Sequence, residues 1–401
     1  MTLSNGRHYL AIPGPSVMPD EVLAAMHQPA PNIYEGDIVT LMEGVTRDLK
    51  TIAGTTGQVA LYGANGHGVW EASLANVAAP GDMVLVLSNG RFGMGWAEMA
   101  QGLGIETRIL DCGMSAASDP ARLEEALRAD GDKRIKAVLV CHVDTSSGVL
   151  NDVAGLRTAM DAAGHPALLM VDCIASFACD RYEMDAWGAD VTLAGSQKGL
   201  MTPPGMAMVW FNDRAAEVAR GVKTSRYWDW TDRGNPEFPY QYFGGTTLTH
   251  HMFGLRKALD MIKAEGREAI WARHDTLANS YWAAIDAFGA GGSMRLNVPD
   301  RAHRSRAITS VALPNGQGER LRLWCSENLG VTLGIGLGRT PPHDYFRIGH
   351  MGHINAHMAL GVVGVLEAGM LSLGIAHGKG ATSAAAEVIA SATRPLSQAA
   401  E

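Results

Sequence analysis

Residues 191–205 read VTLAGSQKGLMTPPG. A short apolar run ends in small and polar residues, and there a single lysine, Lys198, follows. The nearest acid before it is Asp190, and Gly-Leu-Met-Thr-Pro-Pro-Gly comes after. A lysine just past a strand ordinarily lays its stem on apolar surface and reaches water with its ammonium. The functional alternative is an amine able to lose its proton, as Schiff-base chemistry requires. The surroundings have to decide between the two.

Short apolar runs recur on either side: QVALYG (58–63), MVLVLSNG (83–90), IKAVLVCH (135–142), ALLMVDC (167–173) and GMAMVWF (205–211). Amphipathic helical stretches alternate with them, such as GVWEASLANVA (68–78), PARLEEALRAD (120–130) and VAGLRTAMDAAG (153–164). Near-continuous apolar strands alternating with helices indicate an α/β fold whose mostly parallel sheet is covered on both faces. Ligands of such sheets sit beyond the carboxyl ends of the strands. Asn65, Gly66, His67, Asn89, Asp144, Thr145, Asp172 and Lys198 all fall at those ends, which points to one site.

Composition bounds the rest. The chain has 401 residues, enough for two or three domains with a sizeable core. Lysine plus arginine is 33 against 41 acids, a net charge of −8, which argues against a general nucleic-acid binder. Five scattered cysteines form no CxxC pair and read as free thiols of a reducing compartment. No secretory signal and no run of transmembrane length is visible, so the expectation is a cytoplasmic protein with no membrane partner. A first segment (1–20) precedes a large domain over 21–288. A smaller α+β domain over 289–377 and an Ala/Ser-rich tail over 378–401 follow, the tail helical at first and frayed at its end.

Two motifs carry chemistry. GANGHGVWEASL (63–74) follows a strand and opens a helix, where free backbone N–H groups suit a phosphate; a tight glycine turn explains it equally well. VDCIASF (171–177) ends a strand with Asp172, which suits a helix cap or a partner for a pyridine nitrogen. GIGLG (334–338) reads as a glycine turn. His350, His353 and His357 follow an i, i+3, i+7 spacing, but the run crosses from loop into helix, and no metal site is expected.

The VD…GSQKGL pairing, the HxxTSSG stretch at 142–148 and the GLG…FRIGHMG segment together resemble the class V, fold-type I aminotransferases that use pyridoxal phosphate (PLP). The likeness is to the serine–glyoxylate and alanine–glyoxylate branch and runs from IPGPSVMPDEVLAAM (12–26) to FRIGHMG (346–352). It implies a seven-stranded large domain with a smaller C-terminal domain. Lys198 would hold PLP and shuttle the proton at the substrate carbon, and Asp172 would pair with the ring nitrogen. Asn65, Gly66, His67 and Gln197 match the phosphate site. Phe92 matches the aromatic stacked on the ring, and Thr145 the hydroxyl beside its phenolic oxygen. Arg347 matches the residue that forks onto the substrate carboxylate. Thr246 and Tyr240, in FPYQYFGGTTLTH (238–250), are the candidates to complete a neighbouring subunit's phosphate site, which implies an obligate homodimer and leaves a tetramer open. The expected partners are a small amino acid, serine or alanine, and a small 2-oxo acid, glyoxylate or pyruvate.

The chain also departs from this pattern. PNIYEGD (31–37) places Tyr34 and Glu35 where serine–glyoxylate enzymes often carry Asp-His-Arg. Exchanging a basic residue for a carboxylate should disfavour an acidic donor. HVDTSSG and the Tyr-acid pair also resemble pyridoxamine–pyruvate transaminase, so pyridoxamine stays an alternative donor. A PLP lyase or desulfurase of the same fold would need a mobile nucleophilic cysteine, and Cys325 in RLRLWCSENLG looks helical. A nicotinamide oxidoreductase lacks an acid placed to hold ribose.

Overall fold

The computed structural model describes residues 2–393. In chain order the strands are β1 (Tyr9–Ala11), β2 (Gln58–Tyr62), β3 (Met83–Ser88), β4 (Glu106–Asp111), β5 (Ile135–Cys141), the hairpin β6 (Val143–Asp144) and β7 (Val149–Leu150), β8 (Leu168–Asp172), β9 (Val191–Gly195), β10 (Ala207–Phe211), β11 (Arg295–Leu296), β12 (Ile308–Ala312), β13 (Val331–Ile335) and β14 (Tyr345–Gly349).

Seven of them form the large sheet in the order β2-β10-β9-β8-β5-β3-β4. Only β10 runs against its neighbours. Every residue of β8, β9 and β10 is buried, as expected of central strands covered on both faces. Strict alternation divides their side chains between two cores. Val59, Leu85, Val138, Leu169 and Met208 point to one face, and Ala60, Val84, Leu139, Met170 and Val209 to the other. Burying such a side chain contributes about 1.5–3 kcal/mol. β4, missing from the sequence expectation of strands, is one of the two edges of the sheet, and its residues are exposed or half-buried. Charged side chains suit such an edge and break the apolar signal.

The second sheet runs β1-β13-β14-β12-β11. β1, from the leading segment, pairs with β13 and so belongs to this layer. The helix Arg267–Gly289 bridges both parts: Ile270 packs in the large-sheet core, whereas Leu277 through Phe288 pack with the small sheet. The helix Ala381–Ala392 lies against it and brings Ala381 and Ala385 into the same core. The expected frayed end of the tail lies outside the described residues.

The helix Ala356–Leu373 is long and apolar enough to cross a membrane by length and composition, contrary to the expectation that no run reaches that size. Val362, Val363, Leu366 and Met370 instead pack into the small-sheet core, which accounts for its apolar face.

The segment 222–250 is irregular but tied down. Arg233 is buried and donates to the carbonyls of Leu61 (2.6 Å) and Tyr227 (2.7 Å). Its guanidinium lies over the rings of Tyr62 and Tyr227. This anchors the segment to the end of β2, where the glycine turn begins.

Candidate active site

Strands β2, β3, β5, β8 and β9 all end on one rim of the large sheet, and each delivers a polar group there. Asp172 closes β8 and is buried. Its Oδ1 accepts from the Ile174 N–H (2.7 Å) and its Oδ2 from the Trp70 indole N–H (2.8 Å). Burial pushes its pKa up to about 6, against the pull of those two donors.

Lys198 stands three residues past β9 and is 8% exposed. Its amine donates to the Pro13 carbonyl, and its own carbonyl accepts from Ser16 Oγ at 2.7 Å. The leading loop IPGPS therefore lies over the lysine. Gly14 is required there: its φ is +96°, and a Cβ would fall 2.5–2.7 Å from Lys198 Nζ, Cδ and Cε. Burial first, and Arg347 second, push the Lys198 pKa down to about 8, while Asp172 opposes the fall. The bland alternative for this lysine, an ammonium in water, does not hold.

Arg347, on β14, reaches the same rim from the small sheet. Its Nε donates to the Ile335 carbonyl (2.7 Å) and its Nη1 to the Thr145 carbonyl (2.9 Å). It has no acidic partner among the described residues. Burial lowers its pKa to about 10. Thr145 is buried in the tight turn between β6 and β7. Asp144 before it accepts from the backbone N–H groups of Phe92 (2.9 Å) and Gly93 (3.0 Å), and so fixes the first turn of the helix Arg91–Gly102. Phe92 is half-buried and its ring lies 6.2 Å from Trp70, edge to face.

The glycine turn opens the helix Gly66–Val77. Asn65 is its cap, accepting from the Gly68 N–H at 3.2 Å, so its side chain serves the helix. Gly66 is buried, and a Cβ there would come 2.6 Å from Ile174 Cδ1. His67 is exposed, with its pKa lowered by partial burial and by Arg91. The Gln197 side-chain oxygen is buried and has no hydrogen-bond partner, and the Gln197 carbonyl accepts from the Ser16 N–H.

Tyr34, Glu35, Tyr240 and Thr246 are not among these buried groups. All four are exposed, and Tyr34 lies edge-on to Tyr240, their ring centroids 6.4 Å apart. Cys325 is fully buried on the helix Gln317–Leu329, and burial pushes its thiol up to about 12, which removes the thiolate a desulfurase needs. His350 uses both ring nitrogens within the fold, on Thr309 Oγ1 and the Arg306 carbonyl. Sequence reasoning missed Trp70, Arg233 and the contact of the IPGPS loop with Lys198. The first two sit in helical or irregular stretches where an aromatic or an arginine carries no signal of its own.

A profile of the family described as aminotransferase class-V matches residues 67–353. The serine–glyoxylate aminotransferase of Methylorubrum extorquens is 34% identical over 389 residues, 95% of each chain. The L-aspartate–glyoxylate aminotransferase of Paracoccus denitrificans is also 34% identical, over 94% of each chain. Among solved structures, the ureidoglycine–glyoxylate aminotransferase of Bacillus subtilis superposes with a TM-score of 0.87 at 27% identity, covering 96% of this chain and 99% of that one. A buried lysine beside a buried aspartate, on a chain matched end to end by such enzymes, places this protein in the class-V aminotransferase family.

Proposed function

We propose that the protein transfers the amino group of a small amino acid, serine or alanine, to a small 2-oxo acid, glyoxylate first and pyruvate second. The carrying observation is the trio Lys198, Asp172 and Arg347. All three are buried on one rim; Arg347 and Asp172 both act on the acidity of Lys198, and Lys198 acts on that of Asp172, yet no two form an ion pair.

The residues fit PLP. Gln197 has a buried side-chain oxygen without a partner, Gly66 sits where a Cβ would press on the Ile174 side chain, and Lys198 is an amine that loses its proton near neutrality. When bound, PLP supplies an electron sink that stabilises negative charge at the reacting carbon. Lys198 would hold its aldehyde carbon and Asp172 its ring nitrogen, while Phe92 would cover the ring. The N–H groups at the start of the helix Gly66–Val77, with His67 and Gln197, would hold its phosphate.

The protein's own groups do the rest. Arg347, already anchored on two carbonyls, presents its remaining N–H groups to the substrate carboxylate and orients Cα. The Lys198 amine takes and returns the proton at Cα, a task matched to a pKa near 8. The leading loop closes the lysine off from bulk water.

A cytoplasmic homodimer is part of the proposal. Tyr34 (67% exposed), Phe238 (52%) and Tyr240 (39%) form an exposed aromatic group on one chain, which a second copy would cover. The five free cysteines, four of them buried, suit a reducing compartment. Glu35 beside Tyr34 supports a neutral donor over an acidic one. Purified protein loaded with PLP should be assayed with serine, alanine, aspartate and pyridoxamine against glyoxylate, pyruvate and oxaloacetate. Turnover with serine or alanine and glyoxylate is expected. Turnover confined to aspartate or to pyridoxamine would overturn the donor assignment.

A further inference from the structure

We propose that Trp70 is a positioning residue whose indole N–H holds the Asp172 carboxylate ionised and aimed at the ring nitrogen of the cofactor. The inference rests on the PLP assignment above.

Trp70 is 1% exposed and donates to Asp172 Oδ2 at 2.8 Å, while the Ile174 N–H occupies Oδ1 at 2.7 Å. The Cys141 thiol also donates to Oδ2, weakly at 3.8 Å, so Oδ1, which takes only the Ile174 N–H, keeps the lone pair that leaves room for a ring N–H. A buried indole commonly finds some acceptor, and packing alone would then explain the contact. This protein argues otherwise. The indole N–H groups of Trp96, Trp210 and Trp230 are also buried, and none has a partner among the described residues. Trp282 finds only a threonine hydroxyl, at 3.2 Å. Burial therefore does not by itself supply an acceptor here; the half-buried Trp228 donates to Glu71 at 2.9 Å, and Trp70 is the fully buried indole set on a carboxylate.

The indole is held from several sides. It stacks on Trp96 at 6.1 Å and meets His67 and Phe92 edge-on. Gly95 leaves it space, since a Cβ there would lie 3.2 Å from Trp70 Cζ3. Trp70 also stands one helical turn after His67 on the helix Gly66–Val77. One rigid helix thus carries both the phosphate turn and the donor that fixes the opposite end of the ring. The other titratable groups facing Asp172 are Lys198, Asp144, Cys141 and Cys173. Burial and Asp144 favour the neutral carboxyl, and Ile174, Trp70 and Lys198 oppose them.

The test replaces Trp70 by phenylalanine and, in case that variant folds poorly, by benzothienylalanine, which keeps the indole shape with sulfur in place of N–H. Trp96→Phe is the control, because it disturbs the same stack without touching the carboxylate. Two quantities are measured. One is the Asp172 titration in the apo protein, by 13C NMR with labelled aspartate and Asp172→Asn for assignment. The other is the pH titration of the visible absorbance after loading with PLP. Both Trp70 variants should raise the apo Asp172 midpoint by about one to two pH units, the size of one lost charge-assisted hydrogen bond. They should also move the visible titration, and Trp96→Phe should move neither. An unchanged apo midpoint in both Trp70 variants, or an equal shift in Trp96→Phe, would overturn the proposal. Wild-type protein that binds no PLP would instead overturn the functional assignment, and is told apart because the apo shift persists.

Discussion

Replacing Arg347 by lysine keeps the charge and removes the fork. The guanidinium already spends Nε on the Ile335 carbonyl and Nη1 on the Thr145 carbonyl, which leaves the outer N–H groups for a carboxylate. A lysine ammonium is a single point. It cannot serve both carbonyls and still give two parallel bonds to a substrate. At least one charge-assisted hydrogen bond to the carboxylate is lost, worth about 1.5–3 kcal/mol. At about 1.4 kcal/mol per decade, kcat/KM should fall roughly 10- to 150-fold. The assay follows the spectral change of the PLP-loaded enzyme in single turnover with serine, and in parallel with ethanolamine, which is serine without its carboxylate. Ethanolamine should react slowly with wild type and lose almost nothing further in the variant. An equal loss for both amines, or serine kcat/KM within twofold of wild type, would refute the assignment of Arg347.

Lys198→Met should alter how apo stability depends on pH. The lysine titrates near 8 when folded and near 10.5 when unfolded, so between these values the unfolded chain binds more protons and wild-type stability rises with pH, by about 3 kcal/mol at most; urea midpoints of wild type and variant should converge across that window, and parallel curves would count against a buried amine. Gly14→Ala should drive the Lys198 side chain aside and strain a left-handed position, lowering kcat at least tenfold and stability by about 1–3 kcal/mol, as read by initial rates and thermal melts. Cys325→Ser should keep full transaminase activity and release no sulfide from cysteine; loss of a wild-type sulfide-releasing activity in this variant would favour a desulfurase.

The central strands were legible because they are buried on both faces: VTLAG, LLMVD and AMVWF are apolar nearly throughout. The edge strand ETRILD was not, since half-exposed positions admit charge and erase the pattern. Spacing placed Asp172 and Lys198 on one rim because parallel strands end on the same side. Contacts made by residues distant in sequence left no local trace. Pro13 and Gly14 lie on Lys198 across more than 180 residues, Trp70 reaches Asp172 across 102, and Arg233 grips the end of β2 across 172. The span of the helix Arg267–Gly289 across two cores was also hidden, because its sequence is continuously helical and only packing divides it. Tyr34 and Glu35 read as substrate contacts from the resemblance, yet on a single chain they are exposed, which fits a role completed by another copy.

The most direct measurement is borohydride reduction of the PLP-loaded protein followed by peptide mass mapping. One pyridoxyl group on the peptide carrying Lys198, absent in Lys198→Ala, is the predicted result. A pyridoxyl group on a different lysine, or no stable addition to a yellow protein, would contradict it.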